Sequence, residues 1–199
     1  RPLLHKLDAI ICLNSEDSAF FSKYSDKVTV MPHWIVEETK CFHSRNVKRD
    51  MVLFIGRNDS NKSPDYLLEL PEAKYEIHCV INSSIGLRKD FIFHQNISDD
   101  ELMRLYSQAA LLVVPSRYEA FSYVVLEALI CGVPVLLSDN VRIVDHLQGI
   151  SGVTTFHYGD KEEFVSLIDS AKEKVVNVET VQSVFSAEKA KSKLLNLYQ

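Results

Sequence analysis

Glycine is scarce. The 199 residues hold six, about half of the usual ~7% share. Nucleotide-binding proteins of alternating strands and helices tend to be glycine-rich where backbone meets phosphate, so the shortage counts at first against such a role. Long apolar runs are also missing. The longest, Ala109 to Pro115, falls far short of the ~20 residues of a membrane span and suits a buried strand. The four cysteines, Cys12, Cys41, Cys79 and Cys131, lie far apart with no C-x-x-C, which excludes a disulfide framework and a zinc site. Three of them flank apolar runs and read as buried thiols, in keeping with a reducing compartment. Cys41 and His43 form the only close Cys/His pair, and it reads as incidental rather than metal-binding.

Positive charge is not in excess. Lys and Arg total 22 against 27 Asp and Glu, a net charge of −5, and no broad basic face supports nucleic-acid binding. The one basic stretch, Lys40 to Arg49, reads as a solvated linker rather than a phosphate or membrane patch. With 46% apolar and 25% charged residues, disordered, collagenous and coiled-coil chains are excluded. Three motifs are absent: G-x-G-x-x-G, G-x-x-x-x-G-K-[ST] and G-x-S-x-G. These absences count against a dinucleotide dehydrogenase, a P-loop protein and an α/β-hydrolase. The chain opens on Arg1 and reads as a fragment or a processed product, so that targeting signals would lie out of view.

What is present is a rhythm. Leu7–Leu13 and Val28–Met31 predict strands, with Ser15 capping a short helix to Tyr24 between them. The polar run from Glu37 to Asp50 predicts a linker. Strands are then predicted at Met51–Ile55, Tyr75–Ile81, Asp90–Phe93, Leu111–Val114, Val133–Leu137 and Val153–Phe156. Helices are predicted from Pro64, from Ser98 with a capping box to Glu101, from Ser122 to Ile130, over Val141–Leu147, over Lys161–Lys174 and over Val181–Tyr198. Strands that are continuous apolar runs alternating with helices predict a parallel sheet covered on both faces. Ligands of such sheets bind at the carboxyl ends of the strands, so chemistry is expected in the loops after Ile55, Ile81, Phe93, Val114 and Leu137.

The loop after Val114 carries Glu119, and the following helix carries Glu127. That helix is apolar nearly all round, which implies burial, and a buried carboxylate needs a partner. Glu127 either accepts hydrogen bonds from two vicinal hydroxyls, as on a ribose, or pairs with an arginine for structure. The N–H groups from Phe121 to Val124 offer an anion site at the helix start. The loop after Ile55 holds Arg57 and Lys62, which either grip a diphosphate or lie on a solvated surface.

Together these pieces resemble the retaining GT-B glycosyltransferases of family 4. Gly56-Arg57 followed by Lys62 looks like that family's Gly-Arg…Lys loop. Leu102 to Pro115 with Ser116 and Glu119 resembles its L-x-x-x-Y-x-x-A…P-S-x-x-E stretch. Glu119 and Glu127 match its E-x7-E pair, Gly132 to Val135 its G-x-P-V strand, and Phe185-Ser186 with the last helix its closing segment. The resemblance implies a Rossmann-like doubly wound α/β domain over residues 51–199, the donor-binding half. Residues 1–36 would be the tail of the amino-terminal acceptor domain and 37–50 the linker. The last helix would pack back on that tail.

It implies that Glu119 contacts the donor sugar, that Arg57 and Lys62 neutralise the diphosphate together with the N–H groups of Phe121, Ser122 and Tyr123, and that Glu127 holds the ribose. The base would lie by His94 and Asn96. The donor would be a UDP- or GDP-type sugar, the acceptor a glycan, a small molecule or a lipid-linked sugar, with no metal and no further cofactor. The setting would be cytoplasmic, or the inner membrane face if the acceptor is lipid-linked. A sugar-nucleotide epimerase and a degenerate binding module are the rival readings.

This sequence departs from the family at Ser63, Ala120 and Ser122, and at Asn82-Ser83-Ser84, where glycines are usual. The substitutions limit how closely backbone approaches a ligand. Four N-x-S sequons, from Asn58, Asn61, Asn82 and Asn96, fall in the same loops and read as accidents of composition.

Overall fold

The computed structural model describes residues 3–35 and 51–197. The linker expected at 37–50, with Cys41 and His43, lies outside the described residues. The first described part is small. Strands β1 (Ile10–Cys12) and β2 (Val28–Val30) pair in parallel, joined by helix α1 (Ser15–Phe21). The cap of α1 is Asn14, not Ser15: the Asn14 side chain accepts from the Asp17 N–H. Ser15 points elsewhere, its N–H and hydroxyl both donating to Asp145 (2.9 and 2.6 Å).

The second part is a six-stranded sheet, every pair parallel. Its strands are β3 (Met51–Ile55), β4 (Glu76–Val80), β5 (Ile92–His94), β6 (Ala109–Val114), β7 (Val135–Ser138) and β8 (Val153–Phe156), in spatial order β5-β4-β3-β6-β7-β8. Numbered from β3, this is the 3-2-1-4-5-6 order of the doubly wound fold, whose reversal of strand order falls between its first and fourth strands. Here that switch point lies between β3 and β6.

The sheet is covered on both faces, and alternation along the strands sorts the core into two. Met51, Leu53, Leu112, Val114, Val135 and Leu137 face one cluster. Val52, Phe54, Leu111, Val113 and Leu136 face the other. The first cluster receives helices α2 (Asp99–Gln108) and α3 (Tyr123–Ile130) and the Val181 and Phe185 side chains; α5 spans Val178–Val184. The second receives the 3₁₀ turn Pro64–Glu69 and helix α4 (Lys161–Lys172) through Tyr66, Leu67, Phe164 and Ile168. α2 begins with the predicted capping box: Ser98 accepts from the Glu101 N–H, and Glu101 reaches back to the Ser98 N–H.

Other outcomes also differ from the sequence expectation, the helix expected from Pro64 being a 3₁₀ turn as well. The stretch Val141–Leu147 forms a 3₁₀ turn, Arg142–His146, rather than an α-helix. The closing helix is two helices, α5 and α6 (Ala187–Leu197), broken at Phe185-Ser186. Phe185 leaves the helix to bury its ring (1% exposed), and Ser186 restarts it through its hydroxyl, which accepts from the Lys189 N–H. Cys12 and Cys79 are buried free thiols as expected, and burial pushes Cys79 up to about 12. Cys131, also buried, is instead disulfide-bonded.

The first part docks at the carboxyl end of the sheet. The Asn14 amide donates to the Ala120 carbonyl (3.1 Å), His146 Nε2 lies 2.7 Å from the Leu13 carbonyl, and Arg142 pairs with Glu16 (2.7 Å). Farther along, the Ile35 N–H donates to the Phe185 carbonyl (2.9 Å), and Lys193 of α6 donates to the Val30 carbonyl. Among the described residues no helix is long and apolar enough to cross a membrane.

Candidate functional site

A cleft of about 440 Å³ opens over the carboxyl ends of β3, β4 and β5. Arg57, Lys62, Asn82, His94, Asn96 and, from α3, Val124 are among its walls. Four residues singled out from sequence therefore share one cavity, beside the switch point.

The loop after β3 is built around its only glycine. A Cβ on Gly56 would sit 3.1 Å from the Phe54 ring and 3.3 Å from the Lys62 stem, so glycine lets the lysine lie down against the strand end. Asp59 shapes the turn. Its carboxylate accepts from the N–H groups of Asn61 (3.0 Å) and Lys62 (2.9 Å). The Lys62 N–H is the main cause holding that carboxyl below its usual range, with the Arg57 charge adding to it against partial desolvation. Arg57 pairs with Asp59 at 3.1 Å while its side chain stays 70% exposed, free to reorient. Asn82, in place of a loop glycine, accepts from the Asn58 N–H (2.8 Å) and so braces this loop from β4.

The loop after β6 is stitched to it. The Asn61 carbonyl accepts from the Arg117 N–H (2.7 Å), and the Asn61 amide donates to the Tyr118 carbonyl (3.1 Å). This brings Lys62 Nζ within 2.7 Å of Glu119 Oε1, with the side chains only 22% and 9% exposed. The Ser116 hydroxyl donates to the same oxygen. Glu119 is further fixed through its backbone, which exchanges hydrogen bonds with Asn140 and Arg142. In so buried a pair, removing one partner leaves the other charge uncompensated.

Helix α3 starts at Ser122, which provides the cap position but no capping hydrogen bond. Its hydroxyl is buried without a partner. Phe121 and Tyr123 flank it in an aromatic group with His33 (centroids 5.1 and 4.8 Å) and Phe185. The glycine question now has a partial answer. Of the three substituted positions, only Ser63 takes a left-handed backbone (φ 49°). Ser122 is extended (φ −130°) and Ala120 is not among the left-handed residues, so neither is strained by its side chain. Ser63 is held there by hydrogen bonds to the Ser60 carbonyl and the Tyr158 hydroxyl (3.0 and 3.1 Å).

Among the described residues, neither an arginine nor Lys62 pairs with Glu127. The Tyr106 hydroxyl donates to its Oε2 at 2.9 Å. Burial pushes the Glu127 carboxyl up, the Tyr106 hydrogen bond opposes this, and the Asp99 charge adds to the rise. Glu119 and Glu127, a pair in sequence, thus have separate partners. In the sequence Tyr106 stands out only as the tyrosine of the L-x-x-x-Y-x-x-A stretch, and that spacing gives no hint of its hydrogen bond to Glu127. Ser116 and Asn82 stand out in the sequence only through the family resemblance and Asn61 only through its sequon, because their hydrogen bonds run across loops.

At the far wall, His94 Nε2 lies 2.9 Å from His78 Nδ1, with the rings stacked at 5.0 Å. Desolvation, then the neighbouring His78, hold His94 below the usual histidine range, while Glu101 of α2 pulls the other way. Asn96 adopts a left-handed backbone (φ 53°), which asparagine tolerates better than most residues.

The domain is a doubly wound parallel sheet with a lysine and a glutamate paired at its switch point, the fold class of the GT-B glycosyltransferases it resembles. Residues 36–176 match the family described as glycosyl transferases group 1, and the chain belongs to that family. It is 30% identical over 155 residues to an uncharacterized glycosyltransferase of Methanocaldococcus jannaschii, covering 63% of this chain and 40% of that protein. Among solved structures it resembles the sucrose-phosphate synthase of Thermosynechococcus elongatus (TM-score 0.79, 20% identity, 99% of this chain and 59% of that one). It also resembles HepE of Anabaena in complex with UDP (TM-score 0.79, 13% identity, 98% and 65%). The chain spans about two-fifths of the length of the first curated relatives it matches.

Proposed function

We propose that the cleft binds a nucleoside-diphosphate sugar and that the protein transfers the sugar to an acceptor with retention of configuration. The observation that carries this reading is the Lys62–Glu119 pair held at the switch point, between the cleft and the start of α3. In this reading the described chain is mainly the donor-binding half, and residues 3–35 are the end of the acceptor half. As the glycosidic bond breaks, negative charge grows on the departing diphosphate. Lys62, Arg57 and the N–H groups at Phe121 to Tyr123 meet that charge, and preorganised donors of this kind are strong electrostatic catalysts. Glu119 holds Lys62 in place and offers its carboxylate to the sugar hydroxyls. The unpartnered Ser122 hydroxyl gains an acceptor when the diphosphate arrives. Glu127 accepts from the ribose hydroxyls, oriented by Tyr106. UDP bound to a similar fold in HepE supports the class of ligand.

Calorimetric titration with UDP, GDP and ADP tests the assignment. The wild-type chain is expected to bind at least one, and Glu127→Ala and Lys62→Ala are each expected to weaken it ~10- to 100-fold, as loss of charge-assisted hydrogen bonds implies. Absence of binding, or normal binding by both variants, would remove the site.

A further inference from the structure

The cleft ends in a hydrogen-bonded row that the proposed mechanism does not use. Glu76 and His78 sit two residues apart on β4, hence on one face of the strand. His94 ends the neighbouring strand β5. His78 Nε2 lies 2.8 Å from Glu76 Oε1, and His78 Nδ1 lies 2.9 Å from His94 Nε2. His78 is nearly buried, whereas His94 is partly open to the cleft.

The chemistry of the row assigns its protons. An ionised carboxylate only accepts, so His78 Nε2 carries the hydrogen. In a neutral imidazole the other nitrogen then has a lone pair, so His78 Nδ1 accepts and His94 Nε2 donates. By the same rule His94 Nδ1 carries no hydrogen. Because Nε2 is turned to His78, Nδ1 is the ring nitrogen left for a ligand. We infer that Glu76 and His78 lock His94 as an Nδ1 acceptor in the cleft, and that His94 thereby selects a base presenting a ring N–H. Uracil (N3–H) and guanine (N1–H) meet it. Adenine places a lone pair at the corresponding N1, so two acceptors would face each other. Glu76 and His78 are positioning residues in this scheme; His94 touches the ligand. The inference rests on the nucleotide reading of the cleft and narrows it to UDP- or GDP-type donors through a named side chain.

Two measurements test it. Long-range ¹H–¹⁵N spectra of the 199-residue chain at pH 8 are expected to show His94 Nδ1 unprotonated and Nε2 protonated, with mixed tautomers in Glu76→Ala. Calorimetry is expected to give wild type a preference of ~10-fold or more for UDP or GDP over ADP, the scale of one mismatched hydrogen bond. That preference should fall below ~3-fold in His94→Phe and drop part-way in Glu76→Ala. A protonated Nδ1, or an unchanged preference in His94→Phe, overturns the inference while leaving nucleotide binding intact. A wild-type chain that binds none of the three nucleotides overturns the nucleotide reading and the base selection with it.

Discussion

Glu127 is a residue whose ionisation works against the fold. Its carboxyl is pushed above the ordinary glutamate value by burial, against the Tyr106 hydrogen bond. A raised value in the folded state means that the native chain holds a proton which the unfolded chain has released, in the window between the two values. The contribution to stability is therefore full below the unfolded value of about 4.3 and lost as pH rises through the folded value. At neutral pH the ionised side chain burdens the fold. Glu127→Gln keeps an oxygen for the Tyr106 hydroxyl and removes the charge. It is expected to raise the melting temperature at pH 7, with the gain shrinking toward pH 4, while weakening nucleotide binding ~10-fold in calorimetry. A lower melting temperature at pH 7 would show that the charge is better compensated than its surroundings indicate.

The glycine shortage also resolves at this scale. Gly56 is retained where the Lys62 stem lies within 3.3 Å of the position of a Cβ. Ser63 bears a left-handed conformation that an L-residue adopts at some cost, offset by its two side-chain hydrogen bonds.

Among the elements, local signals were read well where the reason was local. The capping box of α2 lies wholly within Ser98–Glu101 and formed as the sequence predicts. Ser98→Ala is expected to cost about 1 kcal/mol in urea unfolding, with Ser98→Asn recovering most of it because asparagine is also a favoured cap. The sequence places the α1 cap one residue late, at Ser15, because Asn14 and Ser15 are both good caps. What separates them is Asp145, 130 residues away in sequence, which takes the Ser15 hydroxyl and leaves the cap to Asn14. The break between α5 and α6 is marked in the sequence only by the resemblance at Phe185-Ser186, for a similar reason. Helical periodicity runs through Phe185, and only the pocket between α3 and the first part of the chain draws that ring inward.

At the scale of the whole molecule, Phe185 joins the two parts. Its ring is buried against Phe121 and near His146 (centroids 6.2 and 6.4 Å), and its carbonyl accepts from the Ile35 N–H. Phe185→Ala is expected to cost ~3–5 kcal/mol, as for other buried aromatics. It is also expected to speed hydrogen exchange at the Ile35 amide beyond the change at Leu53 in the sheet centre. Equal acceleration at both amides would mean that the parts unfold as one unit and that Phe185 is no hinge between them.

The sequence by itself determined the α/β class, the parallel sheet, the two-sided core and the loops in which Arg57, Lys62 and Glu119 stand. These follow from apolar runs, helix periodicity and caps, which act over a few residues. Tertiary structure alone decided which of those residues meet. Strand order places β3 beside β6, and only that neighbourhood brings Lys62 to Glu119 across 57 positions of chain. The Tyr106 hydroxyl of α2 reaches Glu127 of α3 across space, and the pairing of β4 with β5 aligned Glu76, His78 and His94. Contacts of this kind depend on how the elements are arranged in space, and no short stretch of sequence carries that information.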